Sequence, residues 1–230
     1  MKKILFFSLL IVSLLFVTGC NKEKLPEEVA NVGGWKINDE LPLTTIPKDA
    51  VDAFNAAAEK YTDMVLKPVD LLGTQVVSGT NYMFLCKGTK DSKSSYNVVI
   101  VYKDLKNKSE ITKVSEFKLE DYVSKDIESK QEELFGGWTI FTDVGESRLN
   151  EEEQEIFDAV KEKLLGVNYK PVANLGTQLV AGTNYAFLVV GQTVTEKPVS
   201  TVSIFTIYVN LKGEKELTSI ANINLADFNK

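Results

Sequence analysis

The sequence predicts an α+β protein in which one unit is written twice, each copy a single helix wrapped by a curved antiparallel sheet of about five strands. Three observations predict it. Gly33-Gly34-Trp35 recurs as Gly136-Gly137-Trp138, and the stretch from Leu72 to Tyr82 recurs from Leu175 to Tyr185, in both cases 103 positions later. Each copy contains one amphipathic stripe of helical spacing. Each stripe is followed by runs of alternating apolar residues with short connections, the pattern of consecutive strands that pair antiparallel. A period this long points to tandem units rather than to a solenoid.

The chain opens on Met1-Lys2-Lys3 and an apolar run from Ile4 to Val17 broken only by Ser8 and Ser13. That is the pattern of a secretory leader, too short to span a bilayer comfortably. Its end, Val17-Thr18-Gly19-Cys20, resembles the lipobox of bacterial lipoproteins. The resemblance implies removal of residues 1–19 and a diacylglyceryl anchor on Cys20, with residues 20–30 as a lipidated tether. The expected location is the bacterial cell envelope, outside the cytoplasm. Asn21 stands where an aspartate would resemble an inner-membrane retention signal, so in a diderm cell the expected membrane is the outer one. Processing subtracts Lys2 and Lys3 and no acids, leaving 24 basic against 32 acidic side chains and a formal charge of −8. An acidic body is not drawn to an anionic membrane surface, so attachment rests on the lipid, worth about 0.8 kcal/mol per buried methylene. With Cys20 lipidated, Cys86 is the remaining thiol and no internal disulfide is possible, so stability must come from packed cores.

The first unit, residues 31–123, begins with a short strand at Gly33-Gly34-Trp35. Ala50, Ala53, Phe54, Ala57, Ala58 and Tyr61 then fall on one face of a helix. Four strands follow, marked by Tyr82, Phe84 and Cys86 and later by Tyr96, Val98, Ile100 and Tyr102. Residues 124–133 form a charged linker, and the second unit, residues 134–230, repeats the order. Its helix carries Ile156, Phe157, Val160 and Leu164, and Asn150 ahead of Glu151-Glu152-Glu153 reads as a cap followed by a solvated acidic first turn. The offset grows to 106 at Tyr102/Tyr208, Leu105/Leu211 and Leu119/Leu225, which places a three-residue insertion in a surface loop near Gln192–Lys197. Cys86 stands where the second copy has Val189, so it is expected to be a small core residue rather than a reactive thiol.

Composition removes several classes of function. The chain has no histidine, which excludes Ser-His-Asp and Cys-His nucleophile pairs and any metal site that depends on imidazole. A single arginine, Arg148, and a formal charge of −6 offer no basic footprint for a phosphate backbone, so nucleic acid is not an expected partner. No catalytic residue, metal ligand or cofactor is expected. The three glutamates at 151–153 are assigned to capping rather than to acid–base chemistry.

The repeated central hairpin carries the functional signal. Gln75-Val76-Val77-Ser78-Gly79 and Gln178-Leu179-Val180-Ala181-Gly182 each put a glycine where the chain must turn, with small and apolar neighbours that keep the tip narrow. These segments resemble the Gln-x-Val-x-Gly hairpin of the cystatins, and the longer Thr-Gln-Val-Val-Ser-Gly-Thr-Asn-Tyr is similar to the single-domain, disulfide-free stefins. The glycine pairs with the residues before them, Val32-Gly33-Gly34 and Leu134-Phe135-Gly136-Gly137, resemble the family's N-terminal trunk. The resemblance covers nearly all of residues 31–230.

It implies two tandem cystatin-like domains that reversibly inhibit papain-like cysteine peptidases through a wedge of three segments: the trunk, the first hairpin and the hairpin joining the last two strands. A narrow tip enters the cleft near the catalytic thiol without offering a peptide bond in reactive geometry, and the extended trunk lays its side chains into substrate subsites. One departure concerns the last hairpin. Many cystatins carry Pro-Trp there, whereas this chain has Leu105-Lys106-Asn107-Lys108 and Leu211-Lys212-Gly213-Glu214. Trp35 and Trp138 are expected to face a core and do not replace that anchor. Because Leu134-Phe135 offers two apolar side chains and Asn31-Val32 only one, repeat two is expected to be the stronger unit. Two rivals remain open: a surface binding or scaffold module on the same fold, distinguished by tolerance of tip mutations, and a helix-on-sheet enzyme with an acidic base, which has no isolated carboxylate to recommend it.

Overall fold

The computed structural model describes residues 34–39, 45–123, 137–141 and 148–229. Each repeat has the same order. In the first, β1 (Lys36–Ile37) precedes α1 (Lys48–Ala58), then β2 (Val65–Val77), β3 (Gly79–Lys90), β4 (Lys93–Lys103) and β5 (Ser109–Phe117), closed by a 3-10 turn at Leu119–Asp121. In the second, β6 (Thr139–Ile140) precedes α2 (Glu151–Lys161), then β7 (Val167–Val180), β8 (Gly182–Thr193), β9 (Ser200–Asn210) and β10 (Lys215–Ile223), closed by a turn at Leu225–Asn229. The strands form two five-stranded antiparallel sheets, ordered β1-β2-β3-β4-β5 and β10-β9-β8-β7-β6. This is the α+β class the sequence predicts, and the three extra residues fall in the connection between Thr193 and Ser200.

Curvature comes from paired irregularities in the long second strand of each repeat. The β2–β3 register slips between Pro68 and Asp70 and again between Leu71 and Gly73, and β7–β8 slips at the corresponding Pro171/Ala173 and Asn174/Gly176. Bulges bend and twist a strand, and proline, having no N–H for the ladder, is tolerated at one. The glycines of the second bulge let the short first strand approach: a Cβ on Gly73 would stand 2.6 Å from the Lys36 carbonyl oxygen, and one on Gly176 would stand 2.7 Å from that of Thr139.

The helices cover one face of each sheet. Ala50, Ala53, Phe54 and Ala57 of α1 pack on Leu71, Phe84, Cys86, Val99 and Val101. Ile156, Phe157 and Val160 of α2 pack on Phe187, Val189, Phe205 and Ile207. Cys86 is fully buried here, and burial pushes its thiol pKa up, as a structural cysteine requires. Tyr61 and Leu164 lie beyond the helix ends, as partly buried neighbours of the same clusters. The acidic first turn of α2 differs from its expectation at one residue. Asn150 caps the helix and Glu151 and Glu152 are exposed, but Glu153 is buried. Its carboxylate accepts from the Asn150 N–H at 3.0 Å and from Asn174 Nδ2 at 2.7 Å, which is how a carboxylate tolerates burial.

The opposite faces of the two sheets do not face water. Leu72, Met83, Leu85, Val98 and Ile100 of the first repeat and Leu175, Ala186, Leu188, Val202 and Ile204 of the second belong to a single buried cluster, with Trp35 and Trp138 packed against it. Tyr96 donates a buried 2.9 Å hydrogen bond to the Leu175 carbonyl oxygen across this layer. Gln192 and Ser200 both donate to the Asp39 carboxylate, and Trp35 Nε1 donates to Asn229 Oδ1. Residues 31–230 therefore form one compact unit. The leader, Cys20, the tether and the linker 124–133 lie outside the described residues, and no described helix is long and apolar enough to cross a membrane.

Candidate functional site

Both central hairpins close as tightly as a ladder can. Val77 pairs with Gly79, leaving Ser78 alone at the tip, and Val180 pairs with Gly182 around Ala181. Gly79 and Gly182 have the same φ of +133°, a conformation that L side chains rarely adopt. Space forbids a side chain as well, since a Cβ at either position would lie 2.3 Å from a carbonyl oxygen of the neighbouring strand, that of Lys103 or of Val209. The glutamine of each tip motif is held across the hairpin. Asn81 Nδ2 donates to Gln75 Oε1 at 2.7 Å and Asn184 Nδ2 to Gln178 Oε1 at 2.9 Å, which accounts for the repetition of both residue types.

Apolar side chains stand outward at these tips. Val76 is 48% exposed, Leu179 is 74% exposed, and Val77 and Ser78 are exposed beside them. The last hairpin of each repeat lies next to its tip, because Gly79 is packed on Lys103 and Asp104 and Gly182 on Val209 and Asn210. Its loop is drawn tight by one side chain. Asp104 accepts from the N–H groups of Lys108 and Lys106, both at 2.8 Å, and these hold its carboxyl below the usual carboxylate range. Asn210 does the same for Lys212 and Glu214. From these loops Leu105 and Leu211 project, 83% and 85% exposed.

No protein-family model matches the chain, and no curated protein matches its sequence. The site therefore stands on its own geometry. Of the residues singled out in the sequence, Gln75, Val76, Val77, Ser78 and Gly79 come together at one tip, and Gln178, Leu179, Val180, Ala181 and Gly182 at the other. Gly34 and Gly137 are exposed, just ahead of β1 and β6. Val32, Gly33, Leu134, Phe135 and Gly136 lie outside the described residues.

Two further pairs belong to the site. Leu105 and Leu211 stand in the last hairpins, where the sequence offers no aromatic anchor; their equivalence at offset 106 is the signal that pairs them. Tyr102 and Tyr208 read as strand residues, yet the Tyr102 hydroxyl donates to the Ser78 carbonyl oxygen at 2.6 Å and Tyr208 makes the matching bond to Ala181. The helix of the first repeat is also tied to this end of the sheet. Asp49 accepts from the Tyr82 hydroxyl and the Lys103 ammonium, and burial together with the Asp49 carboxylate pushes Tyr82 up to about 12.

Proposed function

We propose that this chain is a reversible inhibitor of papain-like cysteine peptidases, built on two cystatin-like halves and tethered to the envelope through a lipid on Cys20. The observation that carries the reading is the paired tip. Two narrow hairpins of the same backbone geometry each present outward apolar side chains beside an exposed leucine of the neighbouring hairpin. Such an edge suits an apolar cleft: the tip is thin enough to enter it, and Val76, Val77 and Leu105, or Leu179, Val180 and Leu211, gain by leaving water, about 25 cal/mol per Å² of apolar surface buried. Because the tip is already ordered by the ladder, binding forfeits little conformational entropy. No catalytic group is required of the inhibitor. Repeat two remains the stronger candidate, since Leu179 exposes more apolar surface than Val76 and Leu134-Phe135 precede its trunk glycines.

The test is a titration of active papain with the fragment 21–230, which keeps the whole compact unit. Inhibition with an endpoint of two peptidase molecules per chain is expected if both tips work, and one if repeat two works alone. The double variant G79V/G182V should abolish it. A second double variant, L105D/L211D, alters side chains that touch solvent and should weaken inhibition at least tenfold with an unchanged melting temperature. Full papain activity at high micromolar doses of the wild-type fragment rejects the proposal.

A further inference from the structure

We infer that Tyr102 and Tyr208 are positioning residues that turn the tip peptide's carbonyl inward, so that the bond before the tip glycine is not presented to a peptidase. The inference rests on the inhibitory reading for its consequence, but its geometry is independent of it. A peptidase cleaves when its nucleophile reaches a carbonyl carbon whose oxygen lies among hydrogen-bond donors of the enzyme, where the developing negative charge is stabilised. The tip bonds nearest an incoming nucleophile are Ser78–Gly79 and Ala181–Gly182. In each, the carbonyl oxygen already accepts a phenolic hydroxyl from the protein's own sheet, at 2.6 Å for Tyr102 and Ser78, with Tyr208 and Ala181 paired in the same way. An oxygen drawn to that side is directed away from a peptidase's donor set, and one of its two lone pairs is already engaged.

The glycine makes this arrangement possible. A Cβ on Gly79 would stand 3.0 Å from Cε2 of Tyr102, and one on Gly182 2.8 Å from Cε2 of Tyr208, so each ring lies against a bare α-carbon. The tyrosine also sits at the end of the strand that leads into the leucine hairpin, β4 for Leu105 and β9 for Leu211. One hydroxyl thus couples the two outward segments and holds them as one edge. The same tyrosine–glycine–carbonyl set occurs in both halves, although the residue whose carbonyl accepts changes from serine to alanine, as expected if the backbone oxygen rather than the side chain is what matters.

The test is the double variant Y102F/Y208F in fragment 21–230, which removes two hydroxyls and keeps the rings. Two probes are used: papain, for dissociation rate and for nicking read by mass spectrometry, and subtilisin, an unrelated peptidase, for nicking alone. The variant is expected to be cut by subtilisin at Ser78–Gly79 and Ala181–Gly182 at least threefold faster than wild type, and to leave papain about threefold to tenfold faster, the loss of one hydrogen bond per tip. A merely structural role would lower the melting temperature and spread cleavage over other sites, which overturns the inference. Unchanged nicking at the tips overturns it as well, whatever papain does. If wild type fails to inhibit papain while the variant's tips are still cut faster by subtilisin, the inhibitory reading falls and the inward-turned carbonyl stands.

Discussion

Asp70 is placed against the expectation of its chemistry. Its strand partner is Leu85, a member of the buried cluster between the sheets, and Asp70 itself is only 2% exposed. The second repeat has Ala173 at this position, so the fold does not require a carboxylate there. Burial pushes the Asp70 carboxyl well above the usual carboxylate range, opposed only in part by the Leu71 N–H. The sign follows from linkage: the folded state holds a proton that the unfolded chain has released, so stability falls as pH rises from the ordinary aspartate value toward the raised one. Asp70→Asn should therefore raise the melting temperature at pH 7, with the gain shrinking as pH is lowered toward 4. Melting curves of wild type and variant that stay parallel across that range would exclude this account. Nothing in the sequence marks Asp70 as buried, because the bulge at Pro68/Asp70 interrupts the alternation from which a facing direction is read.

At the scale of the elements, the two helices are alike in length and unlike in how they start. α2 has a full capping box, with Asn150 Oδ1 accepting the Glu153 N–H at 2.9 Å and the Glu153 carboxylate accepting in return, whereas α1 begins at Pro47 with no side-chain cap. Asn150→Ala should cost about 1 kcal/mol. Glu153→Ala should cost more, about 1–3 kcal/mol beyond its share of the cap, because it strands the buried Asn174 amide that donates to it. Thermal unfolding checks the order, and equal losses would place Asn174 on another partner. The cap was legible, since Asn-x-x-Glu ahead of an apolar stripe is a local pattern. The burial of Glu153 was not, because it depends on a strand over twenty residues downstream. The hairpins divide in the same way. Glycine at the tip and alternation on either side are local, and they mark where each chain turns. The tyrosine reaching the tip carbonyl from the next strand, and the leucine left outside by a loop tied to Asp104 or Asn210, are products of the sheet's register.

For the whole molecule, the repeat in the sequence suggests two domains on a linker, and the packing places one buried layer shared by both halves between their sheets. Periodicity along a strand distinguishes its two faces but cannot say that both are covered, and here β3 reads as a nearly continuous buried run because a helix covers one side and the other sheet covers the other. The consequence is energetic. A first repeat cut out as residues 31–123 would expose Leu72, Met83, Leu85, Tyr96, Val98, Ile100, Phe117, Leu119 and Val123 on one face. At even about 1 kcal/mol for each side chain returned to water, the loss is comparable to the roughly 5–15 kcal/mol that keeps a domain folded. The isolated half should then lose its cooperative melt or self-associate through that face, and the same holds for residues 134–230. Analytical ultracentrifugation and calorimetry on the two halves decide it, and a monomeric half melting within a few degrees of the intact unit would mean that the layer between the sheets contributes little. The relative strength of the two tips is accordingly measured in the intact chain, with Gly79 and Gly182 replaced one at a time. A half-protein that failed to inhibit would report its collapsed fold rather than its tip.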